Sequence, residues 1–321
     1  MILTVTINPL LERRLFFKEI CLGCQNREGE EQLKAGGKGI NVSRQLNRLG
    51  IQNFAFTFLG GNNGKLLKEV LSGESINFAF VKTTSETRDA VLILDKSRNS
   101  LTSYFRANTE VIKSEVDEFK IKLEKMIQNC EIVIFSGSSP DPNADSIFPS
   151  GIEMARKYDK ISVCDTYGNH LKDCIESGPT IIHNNIEETE KSLNISLVSE
   201  KEKLDYLDFL YTKNVKQSYL TDGANDFYCS NFDFHFKVRS SKVDSLDSTG
   251  SGDCFVAGIA YAWHNSMSFE SSLKLAASLG IANSLTFDTS NVSLIDAQPL
   301  SDSIIIEPIG KLMKSLDVSP R

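Results

Sequence analysis

The chain is poor in several things that would point away from an ordinary enzyme fold. It has one tryptophan, four histidines and eight prolines in 321 residues, too little proline for a fibrous or low-complexity chain. No apolar run approaches a bilayer-spanning length: the longest, about Phe255 to Trp263, is half of what a membrane helix needs. Basic charge is not in excess, since 35 Lys and Arg stand against 42 Asp and Glu for a net charge of -7. A nucleic-acid partner would select for a concentrated basic surface, so it is excluded as the main ligand, and any phosphate recognition must be local. Seven cysteines, an odd number, include one C-x-x-C pair, Cys21 and Cys24, without a second pair to complete a zinc site. All seven are expected to be reduced thiols. Met1–Ile7 offers neither a charged leader nor a long apolar segment, so the expected location is cytoplasmic, with no membrane partner.

What is present is an alternating pattern. Residues 2–7 read as a buried first strand ending at Asn8-Pro9. Segments 15–21, 27–34, 88–95 and 100–106 read as short strands of a small separate sheet, with a helix at 40–49 and a strand at 52–58 between them. From residue 114 helix and strand alternate: helix 114–128, strand 131–135, helix 143–158, strand 161–165, helix 169–176, strand 180–182, helix 199–213, strand 216–221. Glu131-Ile132-Val133-Ile134-Phe135 is apolar on both faces, as a parallel strand covered by helices on both sides requires. Strands near 225–230 and 232–238 then precede helices at 252–264 and 268–286, and the last ten or so residues read as a loose tail. The prediction is one α/β domain over 1–321, a doubly wound, mostly parallel sheet with a small β-sheet lid.

Two glycine clusters stand immediately before helices, Ala35-Gly36-Gly37-Lys38-Gly39 and Gly250-Ser251-Gly252-Asp253. Bare backbone at a helix N-terminus is an anion site, because free N–H groups and the helix dipole point the same way. Tight turns alone would also account for the glycines. Neither cluster matches GxxxxGK[ST] or GxGxxG, which disfavours a P-loop ATPase and a dinucleotide enzyme. Asp253 is an awkward carboxylate to place beside a bound anion, unless it takes a hydroxyl proton while the N–H groups stabilise a phosphoryl group in transfer.

With these clusters, Ser136-Gly137-Ser138-Ser139-Pro140, Asn185-Ile186-Glu187-Glu188 and Phe255-Val256-Ala257-Gly258, the chain resembles the PfkB carbohydrate kinases, and within them the hexose-phosphate branch of 1-phosphofructokinases and tagatose-6-phosphate kinases. The resemblance implies a ribokinase-like fold with a lid at about 10–34 and 82–106, ATP as phosphoryl donor, Mg2+, and a homodimer joined through the lid. It implies Asp253 as general base with Gly250, Ser251 and Gly252 as anion hole, and Gly37, Lys38, Asn41, Arg88, Glu12 and Arg106 toward the sugar phosphate. Thr221, Gly223, Thr249 and Asn283 are implied for ATP, and Asn185 and Glu188 for Mg2+ through water.

The chain departs from the family pattern at Glu12, where an aspartate is usual, and at His183-Asn184-Asn185, where Lys-Pro-Asn is usual. The expected reaction is phosphoryl transfer to a hydroxyl of tagatose 6-phosphate or fructose 1-phosphate. The competing readings are a kinase for an unphosphorylated sugar or nucleoside, and a catalytically weak sugar-phosphate or nucleotide sensor.

Overall fold

The computed structural model describes residues 1–240 and 242–309; the expected tail lies outside the described residues. Strand β1 (Ile2–Thr6) is buried throughout. The chain then leaves the main sheet for β2 (Leu10–Phe17) and β3 (Glu30–Gly36), and returns through α1 (Lys38–Arg48), β4 (Asn53–Gly60), α2 (Gly61–Gly73) and β5 (Phe78–Thr83). A second excursion supplies β6 (Asp89–Asp95) and β7 (Ser100–Phe105). The alternating part follows as α3 (Lys113–Gln128), β8 (Ile132–Ser136), α4 (Ile147–Lys157), β9 (Ile161–Asp165), α5 (Leu171–Glu176), β10 (Ile181–Asn185), α6 (Ile186–Leu193), α7 (Glu200–Thr212) and β11 (Gln217–Thr221). It closes with β12 (Phe227–Asn231), β13 (Phe234–Arg239), α8 (Ser251–His264), α9 (Phe269–Ser284), α10 (Leu294–Ser301) and β14 (Ile305–Ile309).

The large sheet runs β14-β13-β12-β11-β10-β9-β8-β1-β4-β5, parallel from β11 to β5 and antiparallel from β11 to β14. Its strands are apolar on both faces for the reason read from residues 131–135. Val133 and Phe135 enter the core with Phe119, Leu123 and Phe148 of α3 and α4, while Ile132 and Ile134 face Val42, Leu46, Phe255 and Val256 of α1 and α8. Each buried Val, Ile, Leu or Phe contributes roughly 1.5–3 kcal/mol of transfer free energy, so two-sided burial is what holds the parallel sheet.

The four-stranded lid is ordered β3-β2-β6-β7. Its strands differ from the expected ones: β2 begins at Leu10, because Leu10 and Leu11 are buried and pair with Gly36 and Ala35. It stops at Phe17, so most of the expected strand 15–21 is loop. Residues 81–83 pair with β4 in the large sheet and do not belong to the lid. In the β2–β3 loop Asn26 bonds Cys21 from both sides, its Oδ1 accepting from the Cys21 N–H and its Nδ2 donating to the Cys21 carbonyl, both at 2.9 Å. Cys21 and Cys24 are joined there as a disulfide, their Cα atoms 5.5 Å apart, against the expectation of seven thiols. The other five cysteines are free and buried.

Candidate active site

The two glycine clusters meet in space. Helix α1 begins after Gly37, at φ 117°, and α8 after Gly250, at φ 83°, and neither start has a side-chain cap. Both φ values belong to the region that glycine reaches without steric cost. At Gly250 there is no room either, since a Cβ would stand 2.7 Å from Ser290 Oγ and closer still to Thr289 Cγ2. The first N–H groups of a helix have no intrahelical acceptor. Ser251 N–H is spent on the Ser248 carbonyl at 3.1 Å. Among the described residues the N–H groups of Gly250, Gly252 and Asp253 have no partner, so free donors remain on both sides of Ser251.

Asp253 is 4% exposed and accepts a 2.8 Å hydrogen bond from Asn41 Nδ2, which joins the first turns of α8 and α1. Asn41 is held in that orientation by Arg44, whose Nη1 donates to Asn41 Oδ1 at 2.7 Å while its Nε reaches Glu74 at 2.6 Å. Burial pushes the Asp253 carboxyl up to about 7; the Asp165 charge adds to the rise, and Lys38, Asn41 and His183 oppose it. A carboxyl near 7 exchanges protons in the working range of a general base.

Lys38 points into the same space. Its Nζ lies 3.3 Å from Glu188 Oε2 and 3.6 Å from Asp165 Oδ1, and 5.0 Å from the centre of the Tyr167 ring. Burial alone would make it easier to deprotonate, but Asp165, Glu188 and Asp253 hold the ammonium charged far above the ordinary lysine range. Asp165 ends β9, buried, and accepts from Ser136 Oγ at 2.7 Å. Burial would raise its carboxyl, yet Lys38, His183 and Ser136 hold it well below the usual carboxylate range. His183 ties Asp165 to the neighbouring strand: Nδ1 is 3.0 Å from Asp165 Oδ1 and Nε2 is 3.1 Å from Thr221 Oγ1. His183 therefore fills the place under Gly252, where a Cβ on that glycine would stand 3.3 Å from its Cε1.

The remaining expected residues fall into three groups. Glu188 is one-third exposed beside Lys38, and Gly223, at φ 56°, makes the turn after Thr221. Thr249 is exposed next to the α8 turn. Arg88 donates to Asn108 Oδ1 at 3.0 Å and the Asn8 carbonyl at 3.3 Å, with its buried Nε unpartnered among the described residues. Glu12 is buried on β2 against Gly36 and takes two hydrogen bonds from Arg14 on one oxygen.

Three others are committed elsewhere. Asn185 Oδ1 caps α6, accepting from the Glu187 and Glu188 N–H groups at 3.0 and 3.4 Å, so it shapes the turn that carries Glu188. Asn283 is fully buried; its Nδ2 donates to the Thr249 carbonyl at 2.8 Å and to Ser251 Oγ at 3.1 Å, and its Oδ1 accepts from Ser290 N–H at 2.7 Å. It supports the α8 turn from behind instead of bordering open space. Arg106 is three-quarters exposed and paired with Asp89 at 3.0 Å.

Sequence reasoning missed Asp165, Tyr167, Arg44 and Arg14. Asp165 had a legible signal, an acidic residue at the carboxyl end of a parallel strand, which is where α/β sheets build sites. Arg14 had none, since it acts through Thr289, 275 residues away, whereas Arg44 stands one helical turn after Asn41.

The chain is 27% identical over 296 residues to a tagatose-6-phosphate kinase of Staphylococcus epidermidis, covering 91% of this chain and 95% of that one. It superposes on a possible 1-phosphofructokinase from Thermotoga maritima with a TM-score of 0.86 at 23% identity, over 96% of this chain and 99% of the other. For phosphofructokinase-2 from Escherichia coli in complex with substrates and products the TM-score is 0.82 at 20% identity, over 94% and 98%. These two structures establish the ribokinase-like fold. The model of the pfkB family carbohydrate kinases matches residues 11–294, and the protein belongs to that family.

Proposed function

We propose that the protein transfers the γ-phosphoryl group of ATP to a hydroxyl of a ketohexose phosphate, tagatose 6-phosphate or fructose 1-phosphate, giving a bisphosphate and ADP. The observation that carries this is the buried Asp253 carboxylate, held by Asn41 where two uncapped helix N-termini meet. Asp253 takes the proton of the acceptor hydroxyl as its oxygen attacks the γ-phosphorus. The bond from that phosphorus to the β–γ bridging oxygen breaks, and ADP leaves with the electron pair. Gly252 and Asp253 N–H groups, with the α8 dipole, stabilise the charge on the phosphoryl oxygens. Lys38, fixed between Asp165 and Glu188 and acting on Asp253, belongs to this transfer centre more than to the acceptor's own phosphate. Arg88 is the better partner for that phosphate, because its guanidinium is always charged and keeps an unpartnered Nε.

Mg2+ fits the donor set. Among the described residues no cluster of three or more acidic, His or Cys side chains is placed to hold an ion by itself, and Mg2+ characteristically takes one carboxylate, waters and substrate phosphates. Glu188 offers that hard oxygen, positioned by Asn185. The ion would neutralise charge on the nucleotide phosphates.

Among the described residues no helix is long and apolar enough to cross a membrane, and we place the enzyme in the cytoplasm. A homodimer joined through the lid would help exclude water from the acceptor. The test is a coupled ADP-release assay across ketohexoses, their monophosphates and nucleosides, with Mg·ATP. Turnover with a ketohexose monophosphate at least 100-fold more efficient than with its unphosphorylated sugar is expected. A preference for a free sugar or a nucleoside overturns the acceptor assignment, and no ADP release from any of them overturns the enzyme reading.

A further inference from the structure

Two buried cations of the lid cross to the loop that backs the α8 turn. Arg14, 6% exposed, donates from Nε and Nη2 to Glu12 Oε2 at 2.9 and 2.7 Å, and continues past it. Its Nη2 also donates to Thr289 Oγ1 at 2.9 Å and its Nη1 to the Phe287 carbonyl at 2.8 Å. Lys34, opposite Glu12 in the β2–β3 register, pairs with Asp288 at 2.6 Å. The loop is fixed from its other side as well. Ser290 N–H donates to Asn283 Oδ1 at 2.7 Å and Val292 N–H to Gln45 Oε1 at 2.9 Å. Thr289 stands between the two sets of contacts: its hydroxyl takes Arg14, and its methyl fills the space that a Cβ on Gly250 would need.

Burying a guanidinium is costly unless its donors are met, and four of Arg14's five N–H groups are met by one carboxylate, one hydroxyl and one carbonyl. Only the planar fork of arginine spans these three acceptors at once. The other oxygen of Glu12 faces Gly36 and takes no hydrogen bond among the described residues. It is the end of this chain that an acceptor hydroxyl would meet.

We propose that Arg14 is a positioning residue that couples the lid to the anion-binding turn. Seating of an acceptor on Glu12 fixes Arg14, Arg14 fixes Thr289, and Thr289 sets the Gly250 turn that receives the transferred phosphoryl group. The proposal rests on the reading of Glu12 and Asp253 as the acceptor and transfer ends of one kinase site. Its consequence is that the turn is fully ordered only beneath a seated lid, which limits phosphoryl transfer to water.

The test uses the full chain with Arg14→Met, Arg14→Lys, Thr289→Val and the Arg14→Met/Thr289→Val double variant, each checked for native circular dichroism. Thr289→Val removes only a hydroxyl and keeps the proposal testable where Arg14→Met does not fold. Each single loss is expected to lower kcat about 10-fold, the scale of a mispositioned reacting group, with KM for ATP within threefold. Arg14→Lys should recover part of the loss, and the double variant should be no slower than the worse single one. ATP hydrolysis relative to transfer should rise. Amide exchange at Ser290 and Val292 should be about 10-fold faster in Thr289→Val and in folded Arg14→Met. Unchanged kcat in the folded variants, or losses that multiply in the double variant, overturns the coupling. If the wild type phosphorylates no acceptor, the functional reading fails, and the exchange measurement still decides the tether: unchanged exchange at both amides overturns it.

Discussion

Replacing Asp253 by asparagine keeps the shape and the Asn41 contact region but removes the buried carboxylate held across the α1 and α8 starts. Loss of a positioned base costs about 10²- to 10⁴-fold in kcat, while Mg·ATP binding should survive. The pH profile makes the assignment sharper. The Asp253 carboxyl is raised to about 7, so the base form is lost as pH falls through 7. With that value about a tenth of the molecules carry the ionised form at pH 6. The kcat/KM of the wild type should therefore fall close to 10-fold per unit on the acid side, and Asp253→Asn should lose that limb.

Two neighbours set the sign of further shifts. Lys38 lowers the Asp253 pKa and Asp165 raises it, so Lys38→Met should move the limb to higher pH and Asp165→Asn to lower pH. Stability runs opposite to activity. A carboxyl raised on folding favours the fold while protonated, and that contribution is lost as pH rises from the unfolded carboxylate range through about 7. Asp253→Asn should thus melt a few degrees above wild type at pH 8, and nearer to it at pH 5, in a calorimetric scan. Full turnover in Asp253→Asn, or the same acid limb persisting in it, refutes the reasoning.

Two other outcomes follow from the site. Lys38→Met should lower kcat about 100-fold with little change in KM for the acceptor, whereas Arg88→Met should raise KM for a phosphorylated ketohexose and leave that for its unphosphorylated counterpart nearly unchanged; steady-state kinetics on both acceptors separates the two roles, and an equal KM rise in both variants contradicts them. Gly250→Ala forces a left-handed residue against Ser290 and Thr289, so it should cost about 2–4 kcal/mol from conformational strain and overpacking, read as denaturant midpoint, and remove most activity. A wild-type midpoint would mean that the turn relaxes freely.

The parts of the molecule written in local pattern were legible. Ile132–Phe135, apolar on both faces, announced a covered parallel strand, and glycine clusters before helical periodicity announced α1 and α8. Helix α2 was missed because its first turn, Gly61-Asn62-Asn63-Gly64, carries turn chemistry, and only the tertiary setting against β4 and the lid makes it helical. Strand β14 was missed because Ile305-Ile306-Glu307-Pro308-Ile309 contains a proline, which an edge position tolerates. In the site, a residue that acts through a distant partner, as Arg14 does through Thr289, left no local pattern to read. Asn283 shows the limit: its place in the late helix was read correctly, but its face was not, because helical spacing does not reveal that Thr249, Ser251 and Ser290 all return to it.

The strand edges bear on how copies of this chain can meet. An open edge invites a further strand unless charge, proline or cover blocks it. Among the described residues the large sheet ends at β14 with Glu307 and Pro308, and at β5 with the exposed Lys82. On the lid, β3 carries Glu30, Glu31 and Lys34. The outer strand β7, Ser100–Phe105, has neither a charge nor a proline, and Tyr104 and Phe105 are each 61% exposed. Among the described residues it is the least defended edge, so it is where an added strand would meet the fewest charges.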